Sequence, residues 1–174
     1  SSDLNLGYTV SGSDISTFTQ LTATQITAVR QALQAWSEVS GITFVEVNPG
    51  GYSNNATMVF ANYTDANDGA GAFAFFPGST SSTAQAGDVW LNTNSIPTGS
   101  TINFGSYAYS AITHEIGHAI GLKHPFEGAV TLETSFNTLA NTVMTYNPRV
   151  FYAMAVTQLA AELQSAQSNQ VSQR

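Results

Sequence analysis

The chain has 174 residues, of which 43% are apolar, 11% aromatic and only 9% charged, with no cysteine and a formal net charge of −7. This length suits a single domain with a proper core, and the lack of cysteine excludes a disulfide framework and thiol chemistry. The scarcity of lysine and arginine argues against nucleic acid and anionic membranes as partners, and no stretch has the length of a membrane span.

The first strong prediction along the chain is a helix over residues 22–41. Thr22 and Gln25 have the spacing of a capping box, apolar residues recur at three- and four-residue intervals, and Gly41 is placed to end the helix. Strands are predicted at residues 8–10, 42–47, 56–61, 72–76 and 88–92. Further helices are predicted at residues 107–120 and 157–167, followed by a polar tail over 168–174.

All three histidines lie in one segment, residues 114–124, which reads H-E-x-x-H-x-x-G-x-x-H. On a helix, His114 and His118 project from the same face, about 40° apart, so both imidazoles can reach one metal ion. Gly121 ends the helix and lets the chain double back, and His124 can then supply a third nitrogen. Three neutral imidazoles leave the fourth position of a tetrahedral zinc ion open, as in a catalytic site.

Glu115 directly follows the first histidine, so its carboxylate is placed to act on a zinc-bound water and not to ligate the ion. The alternative is a surface helix that carries solvated histidines. A short H-E-x-x-H does occur by chance, but a solvated helix needs neither the glycine nor the third histidine. The sequence therefore predicts a zinc hydrolase with one catalytic Zn²⁺.

A second motif follows about twenty residues later, where residues 142–148 read T-V-M-T-Y-N-P. Alone it would indicate a core methionine and a turn, but after the extended zinc motif it matches the methionine turn of metzincins. With Pro125 directly after the third histidine, and Met144 and Tyr146 in the form Met-x-Tyr, the chain resembles the serralysin-type proteases of bacteria. The similarity extends upstream and covers about residues 17–147.

The resemblance implies an α+β, zincin-like metzincin catalytic domain. Its twisted, mainly parallel sheet would have an edge strand lining the cleft and would pack on a long helix and the zinc-binding helix. A small C-terminal lobe would carry the methionine turn. We expect one catalytic domain over 1–174, with lobes at about 1–121 and 122–167.

The resemblance also implies roles for individual residues. The zinc ligands would be His114, His118 and His124, Glu115 would be the general base, and Tyr146 would bind zinc at rest and swing to the developing oxyanion. Met144 would form the methionine turn. By resemblance, the substrate edge strand is assigned to Val89, Trp90, Leu91 and Asn92, although Trp90 could equally be a core residue.

The function implied is that of a secreted, zinc-dependent endopeptidase, which hydrolyses extended protein substrates through a zinc-bound water with Glu115 as general base. We expect an extracellular monomer whose partners are a peptide or protein substrate and, by family resemblance, a proteinaceous inhibitor. Two alternatives remain open: a catalytically silent metzincin-like module that binds zinc or peptide, and a zinc hydrolase acting on a non-peptide amide.

The sequence departs from serralysins in two respects. It contains none of the G-G-x-G-x-D repeats that form their calcium-binding β-roll, and the stretch between His124 and Met144 is shorter than in the larger members. The substrate specificity of serralysins therefore does not carry over to this chain. Asp65, Asn67 and Asp68 weakly resemble a Ca²⁺ loop, but the distal glutamate of an EF-hand is missing, so a polar turn is the better interpretation.

Overall fold

The computed structural model describes residues 18–49, 56–67, 69–78 and 85–147. The elements in chain order are α1 (Ala23–Ser40), β1 (Phe60–Tyr63), β2 (Ala72–Ala74), β3 (Val89–Asn92) and α2 (Tyr107–Ala119). The chain forms two compact units, residues 1–123 and 124–174, and all five elements belong to the first. Within the described ranges, neither helix is long and apolar enough to cross a membrane. The predictions for residues 8–10, 157–167 and 168–174 lie outside the described residues.

Helix α1 begins and ends where the sequence predicts. The backbone N–H of Thr22 donates to Oε1 of Gln25 at 3.0 Å, and the N–H of Gln25 donates to the Thr22 hydroxyl at 3.5 Å. At the other end, the N–H of Gly41 donates to the carbonyl of Ser37 at 3.0 Å. The capping box thus provides partners for backbone N–H groups that would otherwise lack them in the first turn.

Gln25 also ties α1 to the sheet. Its side-chain amide is fully buried and exchanges two hydrogen bonds with the buried amide of Asn62 in β1, both at 2.9 Å. The Asn62 amide nitrogen also donates to the carbonyl of Gln20. Buried amides are tolerated only when they are paired in this way, so the pair links the start of α1 to β1.

The sheet is mixed, and the prediction of a mainly parallel sheet is wrong for the described strands. Their order is β1-β3-β2, with β1 parallel to β3 and β2 antiparallel to β3. The return from β2 to β3 continues the antiparallel pairing, because the N–H of Phe75 donates to Asp88 and that of Gly87 to Phe75. The antiparallel pairing of these two strands therefore reaches beyond the named ladder.

The prediction that Val89, Trp90, Leu91 and Asn92 form the edge strand is also wrong. These residues form β3, which has a neighbour on each side and is buried along its whole length. Val89 and Leu91 contribute to the main core, while Trp90 packs on the other face of the sheet with aromatic residues that include Phe73. A strand covered on both faces gives the continuous apolar run seen here, so Trp90 is a core residue.

Residues 42–47 do not form the predicted strand. No ladder involves them within the described part of the chain, and Val45 is 79% exposed. An ion pair between Arg30 and Glu46, at 2.7 Å and 2.9 Å, holds the segment near α1. A segment with high β-propensity forms a strand only when another strand pairs with it. Among the described residues, no strand pairs with this segment.

Helix α2, predicted at residues 107–120, packs one side on the main core. Ile112, Ile116 and Ala119 are buried in the main core. The indole N–H of Trp36 in α1 donates to the backbone carbonyl of Thr113 at 2.9 Å, which links the two helices. The core and this bond hold α2 and the histidines that it carries in place.

Candidate metal centre

The first two histidines of the motif lie one turn apart on α2. The N-cap of the helix is Ser106, whose hydroxyl accepts a hydrogen bond from the N–H of Tyr109 at 3.2 Å. His114 and His118 are both buried, and their ring centroids lie 4.7 Å apart. The helical spacing therefore brings the two imidazoles together, as the sequence predicts.

Helix α2 ends in a Schellman motif at Gly121. The N–H of Gly121 donates to the carbonyl of His118, and the N–H of Leu122 donates to that of Gly117, both at 2.9 Å. Gly121 has φ +104°, a conformation that residues with a Cβ adopt only at a cost. The role predicted for this glycine is confirmed, because the chain reverses here directly before His124.

The reversal also orients the second histidine. Leu122, the residue after the glycine, presents its backbone carbonyl to Nδ1 of His118 at 2.6 Å. A carbonyl oxygen can only accept, so Nδ1 carries the proton and Nε2 keeps its lone pair. A metal-binding histidine needs this tautomer if its Nε2 is to be the ligand atom.

The three histidines of segment 114–124 offer one ligand atom each, and these atoms all lie within 4.8 Å of one another. A tetrahedral zinc ion about 2.0–2.1 Å from each nitrogen would hold them roughly 3.4 Å apart, which small side-chain rotations reach. The donor set is also suited to zinc, because neutral imidazole is one of its usual ligands. The residues therefore fit a zinc ion.

Glu115 is only 8% exposed, beside the first histidine on α2. Burial raises the pKa of Glu115 from its ordinary 4.5 to about 7, because the charged carboxylate loses its hydration. A carboxylate that exchanges its proton near neutrality can act as both base and acid. A bound cation would favour the charged form and lower this pKa.

Tyr146 lies against the third histidine. Its hydroxyl is 2.6 Å from Nε2 of His124, the ring centroids lie 4.7 Å apart, and the tyrosine is 66% exposed. It is therefore not a tyrosine packed in the core. Met144, two residues earlier, is buried in a turn where its N–H donates to the Thr142 hydroxyl at 3.1 Å.

Two neighbours of the histidines were not predicted. Oε1 of Glu127 lies 2.8 Å from Nδ1 of His124, and the Phe76 ring lies 5.2 Å from that of His118. The contact of Glu127 could have been predicted from the sequence, because a proline directly after His124 favours a four-residue turn that brings residue 127 next to the histidine. Phe76 is distant in sequence from His118, so no local pattern connects them.

The weak resemblance to a Ca²⁺ loop gains no support. Oδ1 of Asp65 accepts the N–H of Asn67 at 2.8 Å, as in a polar turn, and the Asn92 amide donates to the carbonyls of Asp65 and Ala70. Asp68 lies outside the described residues. Several of the oxygens in this loop already accept protein hydrogen bonds.

Comparisons with known proteins agree with the motifs. The family model described as Matrixin (peptidase M10) matches residues 2–146. The chain is 40% identical over 112 residues to a protein named Metallopeptidase AprA from Pseudomonas marginalis, and 36% identical over 113 residues to Serralysin G of Dickeya chrysanthemi. The matches cover 64% and 62% of this chain, but only 22% of each relative's length.

Proposed function

Because the chain belongs to the matrixin family of peptidases, we propose that it is a zinc-dependent endopeptidase that cleaves extended peptide substrates. The observation that carries this proposal is the group of three histidine ligand atoms within 4.8 Å, next to a buried glutamate. His114, His118 and His124 would hold the ion. When bound, zinc supplies a Lewis acid that acidifies a water molecule and polarises the scissile carbonyl.

Glu115 would act as the general base and then as the general acid. It removes a proton from the attacking water and returns it to the amine of the departing peptide, so one carboxylate serves both steps. Its burial supports this role, because a carboxylate that is largely removed from water is a stronger base than an exposed one.

Tyr146 would stabilise the tetrahedral intermediate. Its hydroxyl already lies on the metal-binding edge of His124, and its exposure leaves it room to move. A phenol O–H that turns from the metal side to the substrate can donate to the oxyanion, a type of contact worth roughly 2.7–4 kcal/mol. We propose that Met144 forms the methionine turn beneath this group, as the Met-x-Tyr sequence implies.

The substrate would pair with β2 and not with β3. Gly71 and Phe75 direct backbone bonds towards β3, so the intervening Ala72 and Ala74 direct their N–H and C=O groups to the opposite edge. Phe76, just beyond β2, contacts the ring of His118, so the strand leads towards the metal ligands. An extended peptide bound there would be held mainly through its backbone, which permits broad specificity.

The similarity to serralysins supports two further proposals. The enzyme would act outside the cell as a monomer, and a proteinaceous inhibitor would be a further partner. The matched segments cover about a fifth of each relative's length.

The test is cleavage of a quenched fluorescent peptide library by the zinc-loaded chain, with and without a chelator. Chelator-sensitive cleavage is expected. Glu115→Ala should bind zinc but lose nearly all turnover, whereas Glu133→Ala, which removes an exposed acid, should not change it. Tyr146→Phe should lower kcat by about 10–1000-fold without unfolding the protein.

Three outcomes would contradict the proposal. Full activity of Glu115→Ala would remove Glu115 from the mechanism, and an unchanged rate in Tyr146→Phe would remove Tyr146. Bound zinc without peptide cleavage would favour the silent binding module, or, if non-peptide amides are hydrolysed, a different hydrolase.

A further inference from the structure

We propose that Glu127 is a positioning residue for the metal centre, an inference that rests on the proposed zinc site. Its carboxylate would hold the ring of His124 so that Nε2 faces the ion. Glu127 lies outside the H-E-x-x-H-x-x-G-x-x-H motif, yet its Oε1 is 2.8 Å from Nδ1 of His124. It would not touch substrate or metal and would act only through the histidine.

The backbone brings the two side chains together. The N–H of Glu127 donates to the carbonyl of His124 at 3.2 Å, which closes a four-residue turn with Pro125 at its second position. Proline fixes the φ that this position of a turn requires, so the turn is preformed. The carboxylate therefore meets the imidazole at little cost in conformational entropy.

The hydrogen bond sets the tautomer of His124. An ionised carboxylate can only accept, so Nδ1 must carry a proton, and in the neutral imidazole that ligates a metal Nε2 then keeps the lone pair. The contact on the other side agrees, because the hydroxyl of Tyr146 then donates to Nε2 at 2.6 Å. The ring is thus prepared to ligate through Nε2.

Phe126 limits rotation of the same ring. Its ring is parallel to that of His124, with an interplanar angle of 4° and centroids 5.0 Å apart. The stacked phenyl covers one face of the imidazole while Glu127 holds one edge. With both contacts in place, the His124 ring has one preferred orientation.

His118 and His124 reach the same tautomer by different means. Nδ1 of His118 donates to a backbone carbonyl, which no side-chain substitution removes, whereas Nδ1 of His124 depends on a side chain. Glu127 is 50% exposed, so solvent screens its charge, and its main effect is directional. Loss of such a partner typically lowers metal affinity by about 10–100-fold.

The experiment measures zinc affinity by chelator competition for the wild type, Glu127→Ala, Glu127→Gln and the control Glu133→Ala. In parallel, ¹⁵N NMR reports the tautomer of each imidazole in the metal-free protein, which is practical because the chain has only three histidines. Circular dichroism checks that each variant is folded.

We expect Glu127→Ala to lose about 10–100-fold in zinc affinity and to weaken the Nδ1–H signature of His124. Glu127→Gln should retain most of both, because its amide oxygen still accepts the bond, and Glu133→Ala should match the wild type. Wild-type affinity and tautomer in Glu127→Ala would overturn the proposal, as would an equal loss in Glu133→Ala. If Glu127→Ala does not fold, an Nε2–H tautomer of His124 in the wild type would still overturn it.

The outcomes separate this inference from the proposed function. Wild-type protein that binds zinc but cleaves no peptide would refute the endopeptidase and leave the Glu127 comparison valid. Wild-type protein that binds no zinc would overturn both.

Discussion

The buried amide pair of Gln25 and Asn62 offers a quantitative test of how the fold is held together. Replacing Gln25 by methionine keeps the side-chain volume but removes every hydrogen bond that the amide makes. Oδ1 of Asn62 then loses the donor that it has at 2.9 Å, and the N–H of Thr22 loses its acceptor at 3.0 Å. Both amide side chains are fully buried, so water cannot replace the lost partners.

The expected cost follows from these contacts. An unsatisfied buried acceptor costs about 1–3 kcal/mol, and loss of half of a capping box adds up to roughly 1 kcal/mol. Gln25→Met should therefore lower the free energy of unfolding by about 1–4 kcal/mol. Asn62→Leu should be comparably costly, because it leaves Nε2 of Gln25 and the carbonyl of Gln20 without their partners.

The double variant separates pairing from the other losses. With both amides absent, neither leaves the other unsatisfied, so the double variant should be less destabilised than the sum of the single variants by about 0.5–3 kcal/mol. Urea unfolding at fixed zinc concentration measures the three values. Gln34→Met, at an exposed position of α1, is the matched control and should change stability by no more than about 0.5 kcal/mol. Additive losses, or a Gln25→Met variant as stable as this control, would refute the reasoning.

Two further predictions concern stability. In the metal-free protein the pKa of Glu115 is raised from 4.5 to about 7, so its contribution to stability is fully present below pH 4.5 and is lost as pH rises through 7. At about 1.4 kcal/mol per tenfold change in proton affinity, metal-free protein should be about 3 kcal/mol less stable at pH 8 than below pH 4.5 through this group alone. In thermal unfolding, Glu115→Gln should remove this difference in stability between the two pH values. If this variant keeps the pH dependence of the wild type, the effect belongs to other groups. Gly87→Ala should cost about 1–3 kcal/mol in urea unfolding, because Gly87 has φ +85° and an added Cβ would lie 2.9 Å from the carbonyl oxygen of Thr57. Gly99→Ala, where an added Cβ meets nothing within 4 Å, is the control, and equal stability of the two variants would contradict the prediction.

The best sequence predictions concern contacts between residues close in the chain. The capping box of Thr22 and Gln25, the helix end at Gly121 and the shared face of His114 and His118 are all found as predicted. Each depends on backbone geometry over at most a few residues, which residue type and spacing describe well.

The predictions that were wrong concern the sheet. Residues 88–92 and 42–47 both have the composition of strands, but only the first finds partners in the described structure, and it lies in the centre of the sheet and not at its edge. Strand position depends on pairing between distant segments and on which faces are covered. Composition alone carries little information about either.

The sequence by itself determined that three histidines can reach one ion, because residues one helical turn apart share a face and a glycine at that spacing lets the chain reverse after the helix. Only the tertiary structure decided that β3 lies between β1 and β2, that Glu115 is buried enough to raise its pKa, and that Gln25 pairs with Asn62. The physical reason is that spacing along a helix is a local property, whereas burial and strand order arise from contacts between segments far apart in the chain.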